Sequence, residues 1–283
     1  MELEDFDPEL VQCIATITRT GQHGVFYSDI DGTATKQIYG PLVEGFLPNC
    51  QALVKAGLIV HWISDRLIDD SNHRLLSLTE GDQSIGLIGA DGAERYVNGK
   101  VVPFFEFASH LAALKEKIAE YPDAAIHADQ LYQLGICVTI KKTHKAYPEF
   151  AEVMRCIANK MTKETGGEFV MEEETEEKTD RIWVEPSEYI TKADAIKNIS
   201  NELGASNIGL EIYGGDGDND IEAQRLINNS NNGFAYKVCP TFAAAKDAAD
   251  STAIGYVRGL IESPAAWVEF VGRVGLLAQA NRS

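Results

Sequence analysis

Two rhythms of apolar residues alternate along the chain. Short unbroken apolar runs, bracketed by glycine or charge, recur at 24–28, 58–64, 84–89, 208–213 and 233–238. Such runs predict strands buried on both faces. Between them, apolar residues return at helical spacing. Residues 5–20 carry Leu10, Val11, Ile14 and Ile17; residues 41–56 carry Leu47, Leu53 and Val54, with Gly57 in the stop position. Further helices are predicted at 192–203, 220–228, the alanine-rich 242–250, and 264–279. Strand, helix and strand in succession imply parallel strands joined by right-handed crossovers. The predicted core is therefore α/β, a Rossmann-like doubly wound parallel sheet.

The middle of the chain breaks this rhythm. A helix is predicted at 107–120, a strand at 136–140 and a helix at 146–163. Residues 169–171 and 181–184 then read as a hairpin around the acidic tip 172–178, where charge discourages sheet-to-sheet aggregation. These elements satisfy one another, so 94–183 is expected to be an inserted α+β domain, with 1–93 and 184–283 forming the core. A length of 283 residues is comfortable for two domains.

The run at 24–28 leads into Asp29-Ile30-Asp31-Gly32-Thr33. In extended backbone, residues two apart share a face, so the two carboxylates converge beyond the strand. Gly32 permits a sharp turn that brings backbone N–H groups to the same place. In open α/β sheets the ligand crevice lies there, past the carboxyl ends of the strands. The next strand runs parallel and ends in Ser64-Asp65-Arg66, on the same edge. A hydroxyl and a guanidinium there suit phosphate oxygens. Taken alone, the tripeptide better suits a helix cap at Ser64 and an ion pair from Arg66 to Asp69 or Asp70. The run at 208–213 ends in Gly214-Gly215-Asp216-Gly217-Asp218-Asn219-Asp220, dense in carboxylate and glycine, and Lys192 opens a helix. Hard carboxylate oxygens suit Mg²⁺, whereas the downstream glutamate of a calcium loop is missing.

Composition narrows the field. A formal net charge of -18 opposes docking on nucleic acid or anionic lipid. The five cysteines are scattered without a CxxC pair, so no zinc site is expected. The acidic start MELEDFDPEL carries no secretory signal, and no apolar stretch is long enough to span a membrane. A cytoplasmic protein with reduced thiols is expected.

In their order and placement these motifs resemble those of the haloacid dehalogenase superfamily of phosphatases. Asp29-Ile30-Asp31-Gly32-Thr33 matches its DxDGT, Ser64 its second motif and Lys192 its third. Gly215-Asp216-Gly217-Asp218-Asn219-Asp220 matches its GDxxND. The insertion is similar to the large type IIB cap of the sugar-phosphate branch, which includes trehalose-phosphate and sucrose-phosphate phosphatases and phosphomannomutases. Residues 89–93 and 185–195 are similar to segments of the trehalose-phosphate phosphatases. Departures are Ser-Asp-Arg where the branch has Ser-Gly-Arg or Thr-Gly-Arg, and GDGDND where trehalose-phosphate phosphatases have GDDxTDE. Strand 136–140 also lacks their glutamate and lysine pattern.

The resemblance implies a Mg²⁺-dependent phosphomonoesterase whose partner is a small phosphorylated sugar, trehalose 6-phosphate or a relative. It makes Asp29 the nucleophile, Asp31 the general acid and then base, and Lys192 the cation beside them. It assigns Gly32, Thr33, Ser64, Asp65 and Arg66 to the substrate. It places Mg²⁺ on Asp29, the backbone carbonyl of Asp31, and Asp216, with Asp220 close by. The inserted domain is expected to choose the sugar. A phosphomannomutase-like mutase and a non-catalytic sugar-phosphate sensor are the alternatives; intact Asp29 and Asp31 oppose the sensor.

Overall fold

The first helix, α1 (Pro8–Thr20), shows the apolar rhythm becoming structure. The Asp7 side chain caps it by accepting from the Glu9 N–H at 2.9 Å, and Pro8 opens it where no N–H is needed. Leu10, Ile14 and Ile17 fall on one buried face, and Gly21 ends the helix at φ 73°. The computed structural model describes residues 7–66, 68, 75–103, 131–132, 135–165, 169–175, 180–186, 191–241, 244 and 255–282. The expected helix at 107–120, and all but one residue of that at 242–250, lie outside them.

In chain order, β1 (His23–Ser28), α2 (Phe46–Lys55), β2 (Ile59–Ile63) and β3 (Ile85–Gly89) follow, then β4 (Glu94–Val97) and β5 (Lys100–Pro103). Next come β6 (Leu131–Tyr132), β7 (Gly135–Thr139), α3 (Tyr147–Thr165), β8 (Phe169–Thr175) and β9 (Asp180–Pro186). The chain closes with α4 (Lys192–Leu203), β10 (Ile208–Gly215), α5 (Ile221–Asn228), β11 (Gly233–Val238), β12 (Gly259–Ile261) and α6 (Pro264–Ala280). Helix α2 starts five residues later than its apolar spacing predicts, because Leu42 is tied to Thr35 by a β-bridge and Gly45 turns the chain at φ 89°.

The chain forms two compact units, Met1–Val102 with Ile190–Ser283, and Pro103–Tyr189. The first holds a sheet of order β12-β11-β10-β1-β2-β3-β4-β5. From β12 to β3 every pairing is parallel, and β4 joins antiparallel to β3. Successive residues of β1 point into opposite layers. Phe26 packs in a cluster with Leu10, Leu53 and Trp267, whereas Val25 and Tyr27 pack with Ile196 and Ile227. Burial on both faces is what the unbroken apolar runs encode. The edge of the insertion differs from expectation. Residues 94–102 belong to the large sheet, because Asn98 and Gly99, at φ 51° and 80°, form the tight turn that folds β5 back beside β4.

The second unit has its own antiparallel sheet, β6-β7-β9-β8, and its own core of Val138, Phe150, Met154, Ile182 and Val184. Residues 184–186 complete β9 here rather than in the core sheet. Glu172, Glu173 and Glu174, expected in a hairpin tip, instead pair along β9 opposite Trp183, Ile182 and Arg181.

Candidate active site

Parallel pairing of β1 with β10 brings two strand ends together, with Ser28 opposite Gly214. The Asp29 N–H donates to the Gly214 carbonyl at 2.9 Å, which fixes the aspartate beyond the sheet edge. Gly32 turns the chain at φ 78°, and a β-carbon there would run into the Asp216 carboxylate. Only glycine permits that approach. The Thr33 hydroxyl donates to Asp216 Oδ1 at 2.9 Å. Gly32 and Thr33, assigned to the substrate by resemblance, thus face Asp216 and hold it in place.

Lys192 is the first residue of α4, and Thr191 and Asp194 form a reciprocal capping box that sets where the helix begins. The ammonium donates to Asp29 Oδ1 at 2.8 Å and to Asp220 Oδ1 at 2.7 Å. Both Lys192 and Asp29 are buried, 1% and 3% exposed. Asp220 also accepts from the Tyr213 hydroxyl at 2.5 Å and from the Gly217 N–H at 2.8 Å. Asp91, at the end of β3, lies 4.0 Å from Lys192 and accepts from Asn219 at 3.1 Å. Lys237 donates to the Asp216 backbone carbonyl at 3.1 Å.

Tyr213, Asp91 and Lys237 were not anticipated. Asp91 was findable, since it follows a parallel strand ending on the same edge. Tyr213 was not, because an aromatic residue inside an apolar run reads as core.

Asp31 has a different environment. Arg66 grips its carboxylate with two nitrogens, Nε at 2.5 Å and Nη2, and the Tyr39 N–H donates to it at 2.7 Å. Arg66 therefore pairs with Asp31; Asp69 and Asp70, the alternative partners offered by the sequence, lie outside the described residues. The Ser64 hydroxyl accepts from the Arg66 N–H at 3.1 Å and donates to Asp65 at 3.3 Å, so locally it behaves as a cap.

Burial sets the electrostatics. It pushes the Asp29 carboxyl well above its ordinary range; Asp220 and Asp216 add to that, and Lys192 opposes it. Burial likewise raises Asp216 and Asp91. Desolvation alone would lower Lys192, but Asp29 and Asp220 outweigh it and hold the ammonium charged.

Oxygens of Asp29, Asp216 and Asp220 lie within 4.8 Å of one another. With Asp91 they set four carboxylates against the two ammonium groups of Lys192 and Lys237. A divalent cation has the charge to balance that surplus, and an all-oxygen donor set suits Mg²⁺. The Asp31 side chain stands apart from this cluster, committed to Arg66.

No protein-family model and no curated protein sequence matches the chain. Solved structures do. The trehalose-6-phosphate phosphatase of Aspergillus fumigatus is 14% identical, covers 94% of this chain and 97% of its own, and superposes with a TM-score of 0.56. The C-terminal domain of the C. albicans trehalose-6-phosphate phosphatase is 16% identical over 94% of this chain and 96% of its own, with a TM-score of 0.51. The chain shares the fold of these two phosphatases. Within that fold, Asp29, Lys192, Asp216 and Asp220, drawn from three distant stretches of sequence, come together: Lys192 bridges Asp29 and Asp220 by hydrogen bonds, Tyr213 joins Asp220, Thr33 joins Asp216, and Asp91 lies at ion-pair distance from Lys192. No helix among the described residues is long and apolar enough to cross a membrane.

Proposed function

We propose that this chain is a Mg²⁺-dependent phosphomonoesterase that hydrolyses a phosphorylated sugar through an aspartyl-phosphate on Asp29. The observation that carries this reading is the buried Lys192 ammonium shared between Asp29 and Asp220, with Asp216 completing a set of hard oxygens. Phosphoryl transfer requires positioning and charge compensation more than elaborate covalent chemistry, and these residues supply both.

In this reading an Asp29 oxygen attacks phosphorus in line as the sugar oxygen leaves. Lys192 keeps the carboxylate fixed and draws off negative charge. Asp29, Asp216, Asp220 and the Asp31 carbonyl would hold Mg²⁺, which neutralises phosphate charge and lowers the cost of ionising Asp29. Asp31, once it has left Arg66 and taken up a proton from solvent, gives that proton to the departing oxygen and later takes one from water. That requires its release from Arg66. An arriving phosphate dianion competes for the same guanidinium, so substrate binding frees the acid and engages Arg66 and Ser64 with phosphoryl oxygens. The sugar reading, with trehalose 6-phosphate first among candidates, is supported by the substrate named for the two fungal enzymes above. Cys13, Cys50, Cys156 and Cys239 are free thiols, which supports a reducing compartment, the cytoplasm.

The test is phosphate release from trehalose 6-phosphate, sucrose 6-phosphate and hexose monophosphates. Release requires Mg²⁺, stops with chelator and is poorly restored by Ca²⁺, whose looser shell spoils in-line geometry. Asp29→Asn, nearly isosteric, lowers turnover by about three orders of magnitude or more, roughly 4 kcal/mol of barrier. Activity within about tenfold of wild type, about 1.4 kcal/mol, rules out Asp29 as nucleophile. Release without an added bisphosphate activator separates the phosphatase from a mutase.

A further inference from the structure

The loop after the Asp29–Gly32 turn exposes an apolar lip that none of the roles above uses. Ile38 and Tyr39 are 70% and 51% exposed, two of only four large apolar side chains so exposed among the described residues. They are neighbours in sequence, and Tyr39 sits at the site. The Tyr39 N–H donates to Asp31 Oδ1 at 2.7 Å, and its ring centre lies 5.2 Å from the Arg66 guanidinium. The Gly40 carbonyl accepts from Arg66 at 3.4 Å. Tyr39 is held at φ 57°, a left-handed conformation that is strained for a non-glycine residue. Strain of this kind persists where surrounding contacts over-determine it, and here those contacts are the acid and the cation of the site.

Geometry then limits what the lip can meet. A leaving oxygen must come within hydrogen-bond reach of Asp31 to receive its proton. The Tyr39 N–H already sits on that carboxylate, so the carbons behind the leaving oxygen pass close to the Tyr39 side chain. A polar or charged leaving group would gain nothing from an exposed ring and an isoleucine. A pyranose would gain, because its carbon-bound hydrogens form an apolar face that packs on the negative face of an aromatic ring.

Resting on the phosphatase reading, we infer that Tyr39, with Ile38, is the specificity surface of the core unit. It receives the leaving group, and it selects one with a flat apolar face, a sugar ring, over a small acyclic group. The competing role for the ring is to prop Arg66 by the cation–π contact alone.

Steady-state kinetics on the full chain with Mg²⁺ separate the two. The probes are acetyl phosphate, whose leaving group has no ring, and whichever of trehalose 6-phosphate and glucose 6-phosphate turns over faster. Tyr39→Ala keeps the backbone N–H on Asp31. It raises KM for the sugar ester about tenfold while kcat stays within about twofold. Acetyl phosphate kinetics stay unchanged, which also reports an intact fold, and Tyr39→Phe restores the sugar KM. An equal loss for both substrates assigns the ring to Arg66 and overturns the inference, as does no change for either. A wild-type chain that releases phosphate from none of these esters fails before any variant is made, and that outcome overturns the phosphatase reading itself.

Discussion

At Asp29 burial opposes ionisation of the carboxyl that the proposed reaction uses for attack. Its position was legible, because two carboxylates after a buried strand fall at the sheet edge and parallel strands bring their ends together. Lys192, Asp216 and Asp220 were legible for the same reason. The Asp31–Arg66 pair was not. Which carboxylate a guanidinium takes depends on how the 36–40 loop returns, and nothing local in Ser-Asp-Arg encodes that.

Another residue hides a pH dependence in the same sheet. His61 on β2 stacks against Tyr27 at 5.9 Å, and its Nδ1 has no hydrogen-bond partner among the described residues. Burial lowers its pKa from 6.5 to about 4, with Glu202 opposing. A depressed histidine pKa means the unfolded chain takes up a proton before the folded one does. The stability it supports is therefore complete above pH 6.5 and is lost as pH falls toward about 4. With allowance for the solvent that still reaches the ring, the loss is on the order of 1–2 kcal/mol. Urea melts at pH 7.5 and pH 5 should show it, and His61→Phe should shrink the difference. An unchanged difference in the variant assigns the acid sensitivity elsewhere.

At the scale of elements, α4 is the clearest match between sequence and structure. Its predicted span, 192–203, is the observed one, because Thr191 caps its start and Gly204 follows its end. Yet an ammonium at a helix N-terminus opposes the helix dipole. Asp29 and Asp220 offset that penalty, and the capping box fixes the register that lets Lys192 reach them. Thr191→Ala should cost about 1 kcal/mol of stability. It should also lower kcat by more than the small folding loss explains, since the lysine is set by that first turn. A melting shift with unaltered kcat would show that Asp29 and Asp220 hold Lys192 unaided. Strands β4 and β5 escaped the sequence reading because they are four residues each and joined by a turn, too short for any period to show.

At the scale of the molecule, each unit carries its own hydrophobic core and sheet. Replacing 103–189 with a flexible linker should leave a core that melts cooperatively and hydrolyses acetyl phosphate within about tenfold of the full chain. A core that melts without cooperativity would show that the insertion is needed for the sheet. If the truncated core folds but its preference among sugar phosphates is unchanged, the inserted unit is not what reads the sugar. The two-unit division was legible from the change in rhythm after residue 93, but its boundaries were not, because the hairpin at one end and β9 at the other continue the local strand pattern past it.

The central pairing of this protein joins His23 to Ile208 and Ser28 to Gly214. On a ribosome those partners emerge far apart in time, on the order of ten seconds or more at ordinary synthesis rates. Until β10 appears, β1 has β2 on one side and nothing of its native sheet on the other. That bare edge is all apolar within, a template for pairing with other nascent chains. The second unit, with a sheet and core of its own, can fold during the wait. The burden of a chaperone would then fall on the first half of the core, and it would end when residue 215 clears the exit tunnel.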